Sequence, residues 1–480
     1  MLVGAMAVFF RMPLPVRYAA HGGAILSYPV CVLLLLLACT PSDPLEAAET
    51  EWIQDISVQT SPDIPAVITV SYSTPESLES WVEYGGEQIG ERTTSATTGT
   101  AHTHHLLGLP PLTDTKLEIV VEVDGEEQRS GTLYELSGQL LPDTPLPQIT
   151  INRYNAPEHA VILMTLFGDP AYLIMMDLDG NVFWSLVQGV DDVRGGLACQ
   201  PAVEEGLIFF NTFDVDGWAD GLIESVSLDG AVVEQVETEG AHHFFERLPD
   251  KSLVWMAIDP REWKDLGTVV GDKLVHRQTD GTLTTLFSFW DHLTVYETET
   301  WNWPLYDGAD WTHGNGLVYD ETRDTFLVST GGTNVIVELS ASGDVLRMFG
   351  GEGAVDGDYH FNPPNSAFSY PHGVHYNADG ELMMMSTVND RSRLVAYSVS
   401  DSQLSLQETW SYGLELGHVV QVLGDIEELP DGNRLVSWGS MGILQIITPE
   451  GEVVWEAQMS FGQLIGKAHL LESPYRSWSQ

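Results

Sequence analysis

Short turns rich in glycine and acidic residues recur along residues 179–455, and each precedes an apolar segment. Five are regular, at Asp179-Gly180-Asn181, Asp229-Gly230-Ala231, Asp280-Gly281-Thr282, Ser342-Gly343-Asp344 and Glu450-Gly451-Glu452, and a less regular sixth lies at Ser400-Asp401-Ser402. From Gly180 to Gly451 the chain advances 271 residues, about 54 for each of five intervals. A β-propeller blade takes roughly 40–50 residues, so this spacing predicts blades with long loops.

A second turn recurs within the later repeats. It lies at Leu248-Pro249-Asp250-Lys251, Tyr319-Asp320-Glu321, Asn377-Ala378-Asp379-Gly380 and Leu429-Pro430-Asp431-Gly432. Two hairpin turns in a repeat connect four strands, the content of one propeller blade. We therefore predict an all-β chain in which residues 145–470 form a six-bladed β-propeller. A seven-bladed propeller is the alternative if residues 140–165 or 285–312 supply a further blade.

Residues 51–138 precede the repeats and alternate apolar and polar side chains, as strands do. Residues 81–85 (WVEYG) and 105–113 (HLLGLPPLT) resemble a fibronectin type III domain, so we predict a small β-sandwich here. His102, His104 and His105 cluster in this region. Alternation on a strand places His105 on the face opposite His104, which favours a solvated strand edge over a metal site.

The N-terminal segment has the layout of a secretory signal. Arg11 and Arg17 precede an apolar run that ends in Leu36-Leu37-Ala38-Cys39, and small or polar residues follow. The last four residues of that run resemble the lipobox of bacterial lipoproteins. We expect residues 1–38 to be a signal peptide, Cys39 to carry lipid and residues 39–50 to be a tether, which implies an exported protein anchored to a membrane surface of the bacterial cell envelope. A plain signal peptide or a retained anchor is the alternative.

The net charge of the chain limits its partners. Lys and Arg number 20 against 69 Asp and Glu, so the formal charge is −49. A partner bound through phosphates, such as a nucleic acid, is therefore excluded. Three cysteines, two of them in or beside the signal segment, leave no disulfide framework. A homodimer is compatible with the sequence.

Three histidines share one register in consecutive repeats. His243, His313 and His372 each lie seven residues before the aspartate of a second turn. This position is at the start of the innermost strand of a blade, and innermost strands converge on the central channel. We therefore expect the three imidazoles to face one another. They could hold a catalytic zinc ion, or one neutral imidazole could act as a nucleophile beside the other two.

Several segments of residues 240–460 resemble the bacterial aryl-sulfate sulfotransferases. They include residues 310–315 (DWTHGN), 327–330, 335–339, 348–351 and 392–397, together with His242-His243, Pro371-His372 and Gly424-Asp425. Members of that family are exported six-bladed propellers with a smaller N-terminal β-domain. The resemblance implies transfer of a sulfuryl group from a phenyl sulfate to a phenol, with no cofactor and no metal.

The resemblance also assigns roles to individual residues. It implies that His372 is the nucleophile that becomes a sulfohistidine, and that His313 and His243 (or His242) support it. Asn315, Asn334, Arg393 and Trp311 are expected to bind substrate. The family has Arg-His where this chain has Gly331-Gly332, and Gln where it has Pro371. An arginine introduced at Gly331 could therefore raise activity.

Two other functions remain open at this point. One is a catalytically silent propeller that binds a ligand or a partner protein through the same face, which the missing arginine and the acidic charge favour. The other is a metallohydrolase that uses the three histidines.

Overall fold

The computed structural model describes residues 49–168, 170–188, 194–195, 199–202, 206–214, 221–264, 267–302, 308–460 and 462–473, with residues 194–195, 199–202 and 213–214 described by their backbone alone. The predicted signal peptide, Cys39 and most of the predicted tether lie outside these residues. Within the described ranges, no helix has the length and apolar composition of a membrane span.

The N-terminal part is one sheet of seven strands that curls on itself. Its strands are β1 Gln54–Thr60, β2 Ile68–Gly85, β3 Arg92–Thr93, β4 Thr97–Leu106, β5 Asp114–Val123, β6 Glu126–Arg129 and β7 Leu133–Leu136. The long strand β2 pairs with β1 and β4 and, after a register shift between Ser73 and Leu78, continues into its pairing with β5. Both halves of β2 therefore bury apolar side chains in one cluster, among them Val70 and Val82. The fibronectin type III likeness stays a prediction.

Two histidines of this sheet lie in its interior, so the expected solvated strand edge is wrong for them. His102 and His104 on β4 are both 3% exposed and lie against the ring of Tyr72. Hydroxyl groups pair with their ring nitrogens, including Thr94 with His104 at 3.0 Å and Thr97 with His102 at 3.0 Å. The alternation of side chains is as expected, but the inward face carries a hydrogen-bonded polar network.

Six small sheets form the ring of a six-bladed β-propeller, as predicted. The strands are β8 Gln148–Asn152, β9 Val161–Phe167, β10 Ala171–Asp177, β11 Val182–Gln188, β12 Arg194–Gly195, β13 Cys199–Ala202, β14 Leu207–Asp214, β15 Gly221–Ser227, β16 Val232–Glu237, β17 Ala241–Arg247, β18 Leu253–Glu262, β19 Thr268–Arg277, β20 Leu283–Ser288, β21 Ala309–Asp310, β22 Gly314–Asp320, β23 Thr325–Thr330, β24 Val335–Ser340, β25 Val345–Gly350, β26 His360–Asn362, β27 His372–Tyr376, β28 Leu382–Val388, β29 Arg391–Ser400, β30 Ser405–Tyr412, β31 Asp425–Glu428, β32 Arg434–Ser437, β33 Ile443–Ile447, β34 Val453–Gln458 and β35 Leu464–Leu471. Short 3₁₀ helices cover Phe289–Asp291, Pro364–Ser366, Leu414–Leu416 and Gly439–Met441.

Both ends of the propeller segment close the ring. The first blade contains β9, β10 and β11, and the C-terminal strand β35 pairs with β9 as its innermost strand. The sixth blade contains β31–β34, and the early strand β8 pairs with its outer strand β34. Residues 140–165 and 285–312 extend existing blades through β8, β9, β20 and β21, so the seven-bladed alternative is not adopted.

The second to fifth blades follow one another in sequence order, and in the fifth the short strand β26 pairs with the outer strand β30 while β27 is innermost. The second contains β12–β16, the third β17–β21, the fourth β22–β25 and the fifth β26–β30. Second strands such as β23 are buried along their whole length, whereas β16 at the rim exposes most of its residues. This gradient arises because inner strands pack against neighbouring blades on both faces and outer strands meet solvent.

Candidate functional site

The site lies where three neighbouring innermost strands begin. Strand β22 packs between β17 and β27, and each of the three has a register shift near its first residues. His243 and His313 have left-handed backbones, with φ of 57° and 47°, and Gly373 follows His372 with φ of 58°. A bulge with such a residue turns the chain and redirects a side chain. The three histidines share a register because the same local irregularity recurs at the start of each strand.

The structure brings the predicted histidines together around a tyrosine that the sequence did not single out. The ring centroids of His243 and His313 are 5.5 Å apart. The ring of Tyr370 lies 6.1 Å from that of His313 and 5.2 Å from that of His372. All three histidines are buried, and in addition to burial itself His313 lowers the pKa of both His243 and His372.

His372 is held in one tautomer by its own backbone. Its Nδ1 lies 3.1 Å from the carbonyl oxygen of Tyr370. A carbonyl oxygen can only accept, so Nδ1 carries the proton and Nε2 carries the lone pair. Burial, reinforced by His313, lowers the pKa of His372 to about 3. Nε2 has no hydrogen-bond partner among the described residues. His372 is thus a neutral imidazole with an available nitrogen nucleophile.

His313 has the opposite electrostatic character. Its Nδ1 lies 2.7 Å from Oδ2 of the buried Asp310. Burial alone would lower the pKa of His313, but the Asp310 carboxylate more than offsets this and raises it. Burial also raises the pKa of Asp310. The pair therefore loses the proton that it shares only at a raised pH. His313 is therefore placed to act as a cation or proton donor beside the neutral His372.

His243 lies toward His313, and His242 lies behind it. Nδ1 of His242 is 2.7 Å from Nδ1 of His243, and Nε2 of His242 is 2.9 Å from Oδ1 of Asp272. Asp272 also accepts from the hydroxyl of Thr312 and from the Gly314 amide. Burial, followed by the neighbouring histidines, holds the pKa of His243 well below its usual range. The chain Asp272–His242–His243 fixes the ring orientation of His243.

Asn315 is the predicted binding residue that lies in this site. It is completely buried, and neither its amide nitrogen nor its amide oxygen has a hydrogen-bond partner in the part of the chain that the structure describes. A buried amide without partners costs free energy unless a ligand or water satisfies it. Asn315 is therefore available to an oxygen-rich group bound between the histidines.

The other predicted binding residues are engaged in the scaffold, and their roles toward substrate stay predictions. Asn334 accepts from the Tyr370 amide at 2.7 Å and donates to the Glu352 carbonyl. Arg393 contacts Glu408 at 2.9 Å and the carbonyl of Ser366. Trp311 is fully buried in the core, where its ring lies 4.8 Å from that of Trp290.

Sequence reasoning missed Tyr370, Asp310 and Asp272. Asp272 lies in the apolar run of β19, where a lone carboxylate signals a buried partner. Asp310 is three residues before His313. Across the described ranges, no group of three or more histidine, cysteine or acidic side chains has the arrangement of a metal site.

Comparisons with known proteins place this chain in a family. The sequence profile described as arylsulfotransferase (ASST) matches residues 149–464. No curated protein matches the chain. Among solved structures, a protein of unknown function from Bacteroides caccae has 12% identity and a TM-score of 0.43, covering 65% of this chain and 99% of its own. A putative 6-phosphogluconolactonase from Bacteroides uniformis has 9% identity and a TM-score of 0.40, covering 82% and 100%. Virginiamycin B lyase from Staphylococcus aureus has 13% identity and a TM-score of 0.34, covering 56% and 71%.

Proposed function

This chain belongs to the arylsulfotransferase family, and we propose that it transfers a sulfuryl group from a phenyl sulfate to a phenol through a sulfohistidine at His372. The observation that carries the proposal is the state of His372. A buried neutral imidazole with its Nδ1 proton bound by a carbonyl presents a nucleophilic Nε2. His313, whose pKa Asp310 raises, lies in the same group and is placed to donate a proton.

In the first half-reaction, Nε2 of His372 attacks the sulfur of the phenyl sulfate. The bond from sulfur to the phenolic oxygen breaks, and the electron pair stays on that oxygen. The leaving phenolate takes a proton from His313, which becomes a neutral imidazole beside the Asp310 carboxylate. By analogy with phosphoryl transfer, negative charge spreads over the equatorial oxygens in the transition state, where hydrogen-bond donors stabilise it.

In the second half-reaction, a phenol replaces the departed product. Its oxygen attacks the sulfur as the bond to Nε2 breaks, and its proton passes to His313, which restores the starting state of the pair. The Asp310 carboxylate serves both steps, because it stabilises the imidazolium at His313 without touching substrate.

The experiment is sulfuryl transfer from a phenyl sulfate to a phenol by variants of two histidines on the same strand. His372→Ala should abolish transfer because the covalent step loses its nucleophile. His375→Ala is the matched control, since His375 pairs its Nδ1 with the Gly373 carbonyl and lies outside the proposed mechanism. Equal activity of His372→Ala and wild-type protein would remove the proposal.

A silent binding propeller is the second candidate, and the glycine at position 331 favours it. The family's arginine would supply a cation to the sulfuryl group, whereas Gly331 has no side chain to supply one. The same assay separates the two, because a binding protein transfers nothing.

The proposed location is the bacterial cell envelope, with the chain held by lipid on Cys39. The support is the lipobox-like segment at residues 36–39. Several acyl chains on one cysteine give stable anchoring, whereas one chain alone does not.

A further inference from the structure

Three buried polar atoms without partners meet in the site. They are the two amide atoms of Asn315 and the hydroxyl oxygen of Tyr370, none of which has a hydrogen-bond partner within the described ranges. Asn315 lowers the pKa of Tyr370 as a neighbour close to hydrogen-bonding distance, so the two groups are adjacent, although no hydrogen bond of good geometry joins them. An unsatisfied buried polar group costs free energy, so two neighbouring residues of this kind point to a ligand.

These side chains meet above the α-carbon of Gly331. A Cβ atom at Gly331 would lie 2.5 Å from Nδ2 of Asn315 and 2.6 Å from Cε2 of Tyr370. The Gly331 amide donates to the carbonyl of His313 at 2.8 Å, which fixes this point beside the histidines. The space that a side chain at position 331 would take is therefore filled by Tyr370. In the family that this chain resembles, position 331 carries the arginine.

Tyr370 is held in a conformation that few tyrosines adopt. Its φ is 51°, in the left-handed region that is costly for a bulky residue. Its amide donates to Oδ1 of Asn334 at 2.7 Å, and its carbonyl accepts from His372. The ring is stacked on His313 with an interplanar angle of 20°. These contacts fix the ring of Tyr370 beside the rings of His313 and His372.

We propose that Tyr370 is a catalytic residue of this chain, whose hydroxyl, together with the Asn315 amide, donates a hydrogen bond to an oxygen of the transferring sulfuryl group in place of the missing arginine. The inference rests on the proposed sulfuryl transfer. Burial raises the pKa of Tyr370, so the hydroxyl stays protonated and remains a donor. A donor aimed at developing charge in a dry site acts more strongly than it would in water.

The test is a single-turnover measurement with a phenyl sulfate, following the sulfuryl group on His372 by mass. Tyr370→Phe removes one oxygen atom and keeps the ring. It should slow sulfohistidine formation about 10²–10³-fold, the usual cost of one such donor, with a much smaller change in the KM for the donor. Tyr397→Phe is the control, since that buried hydroxyl binds the Ser366 carbonyl away from the site, and its rate should equal that of wild type.

The outcomes separate the two proposals. If wild-type protein gains no sulfuryl group, the proposed function and this inference both fail. If wild type is labelled and Tyr370→Phe matches its rate, only the inference fails. A sulfuryl group found on Tyr370 itself would also overturn it, because the hydroxyl would then be an acceptor. If Tyr370→Phe does not fold, Tyr370→Gln, which keeps a donor, should react faster than Tyr370→Ala, and equal rates would contradict the inference.

Discussion

Among single residues, the proposed chemistry depends on two imidazoles whose pKa values shift in opposite directions. Burial leaves His372 neutral, and its pKa of about 3 keeps it so over the whole physiological range. Burial alone would lower the pKa of His313, but Asp310 raises it, which favours the protonated imidazole. Neighbouring groups whose environments push their pKa values apart are the mark of an acid paired with a nucleophile.

Asp310→Asn should move the pH profile of transfer. Without the carboxylate, burial lowers the pKa of His313, so the imidazole loses its proton at a lower pH. The alkaline fall of kcat should therefore begin at lower pH than in wild type, and the rate at neutral pH should decrease. Asp324→Asn, which changes a surface contact with Tyr319, is the control. An unshifted alkaline limb would show that His313 is not the proton donor.

Gly331→Ala should destabilise the protein. The added Cβ would lie 2.5 Å from Nδ2 of Asn315 and 2.6 Å from Cε2 of Tyr370, closer than non-bonded atoms approach. Overpacking of this kind costs about 1–3 kcal/mol. Gly99→Ala is the matched control, since its nearest neighbour would be at an ordinary 3.5 Å. Denaturant unfolding measures both. The same geometry contradicts the expectation that an arginine at Gly331 could raise activity. An unchanged unfolding free energy in Gly331→Ala would contradict the close approach.

At the scale of the element, the buried network of β4 makes the N-terminal sheet sensitive to acid. Burial lowers the pKa of His104 to about 4 from a usual 6.5, and it lowers that of His102 as well. The unfolded chain therefore binds protons below pH 6.5 that the folded sheet does not, so stability is full above this pH and is lost as the pH falls toward 4. His104 alone accounts for about 3 kcal/mol of this loss.

Unfolding in urea at several pH values tests this dependence. In His104→Gln the loss of unfolding free energy between pH 6.5 and pH 4 should shrink by that amount, while the exposed His360→Gln leaves it unchanged. An equal slope in wild type and His104→Gln would show that the histidine is not buried in its neutral form.

The strands and blades show which features the sequence predicts and which it does not. Turn residues and strand alternation are local, so they predicted the blades and the register of His243, His313 and His372. Closure of the ring by β8 and β35 joins residues about 300 positions apart, which no local pattern carries. The inward face of β4 was misjudged because some of its hydroxyl partners, Tyr72 and Thr74, come from strand β2, far away in the sequence. The sequence did not single out Tyr370 for the same reason, since the residue that its ring packs against, Gly331, lies far away in the chain.

At the scale of the whole molecule, the N-terminal sheet and the propeller share a core. Ile64, Val67 and Leu107 pack in one cluster with Phe183 and Trp184. The Ser61 hydroxyl also donates to the Asp229 carbonyl in a propeller turn. Movement of the sheet relative to the first two blades would therefore expose apolar surface, which opposes it.

Cys39→Ala tests the proposed anchor. If lipid on Cys39 holds the protein to a membrane, the variant should move from the membrane fraction to the soluble fraction, because acyl chains supply the anchoring free energy. Fractionation followed by detection of the folded chain measures the shift. Cys199→Ala is the control and should remain with the membrane. Membrane association of an unlipidated Cys39→Ala chain would rule out the anchor.

Covalent catalysis by His372 can be detected by intact mass after incubation with a phenyl sulfate and no acceptor. The protein should gain about 80 Da, one sulfuryl group, which peptide mapping places on His372 and which is lost when a phenol is added. His372→Ala should gain nothing. An unchanged protein mass together with continued sulfuryl transfer would contradict covalent catalysis by His372. A sulfuryl group mapped to His243 or His313 would contradict it as well.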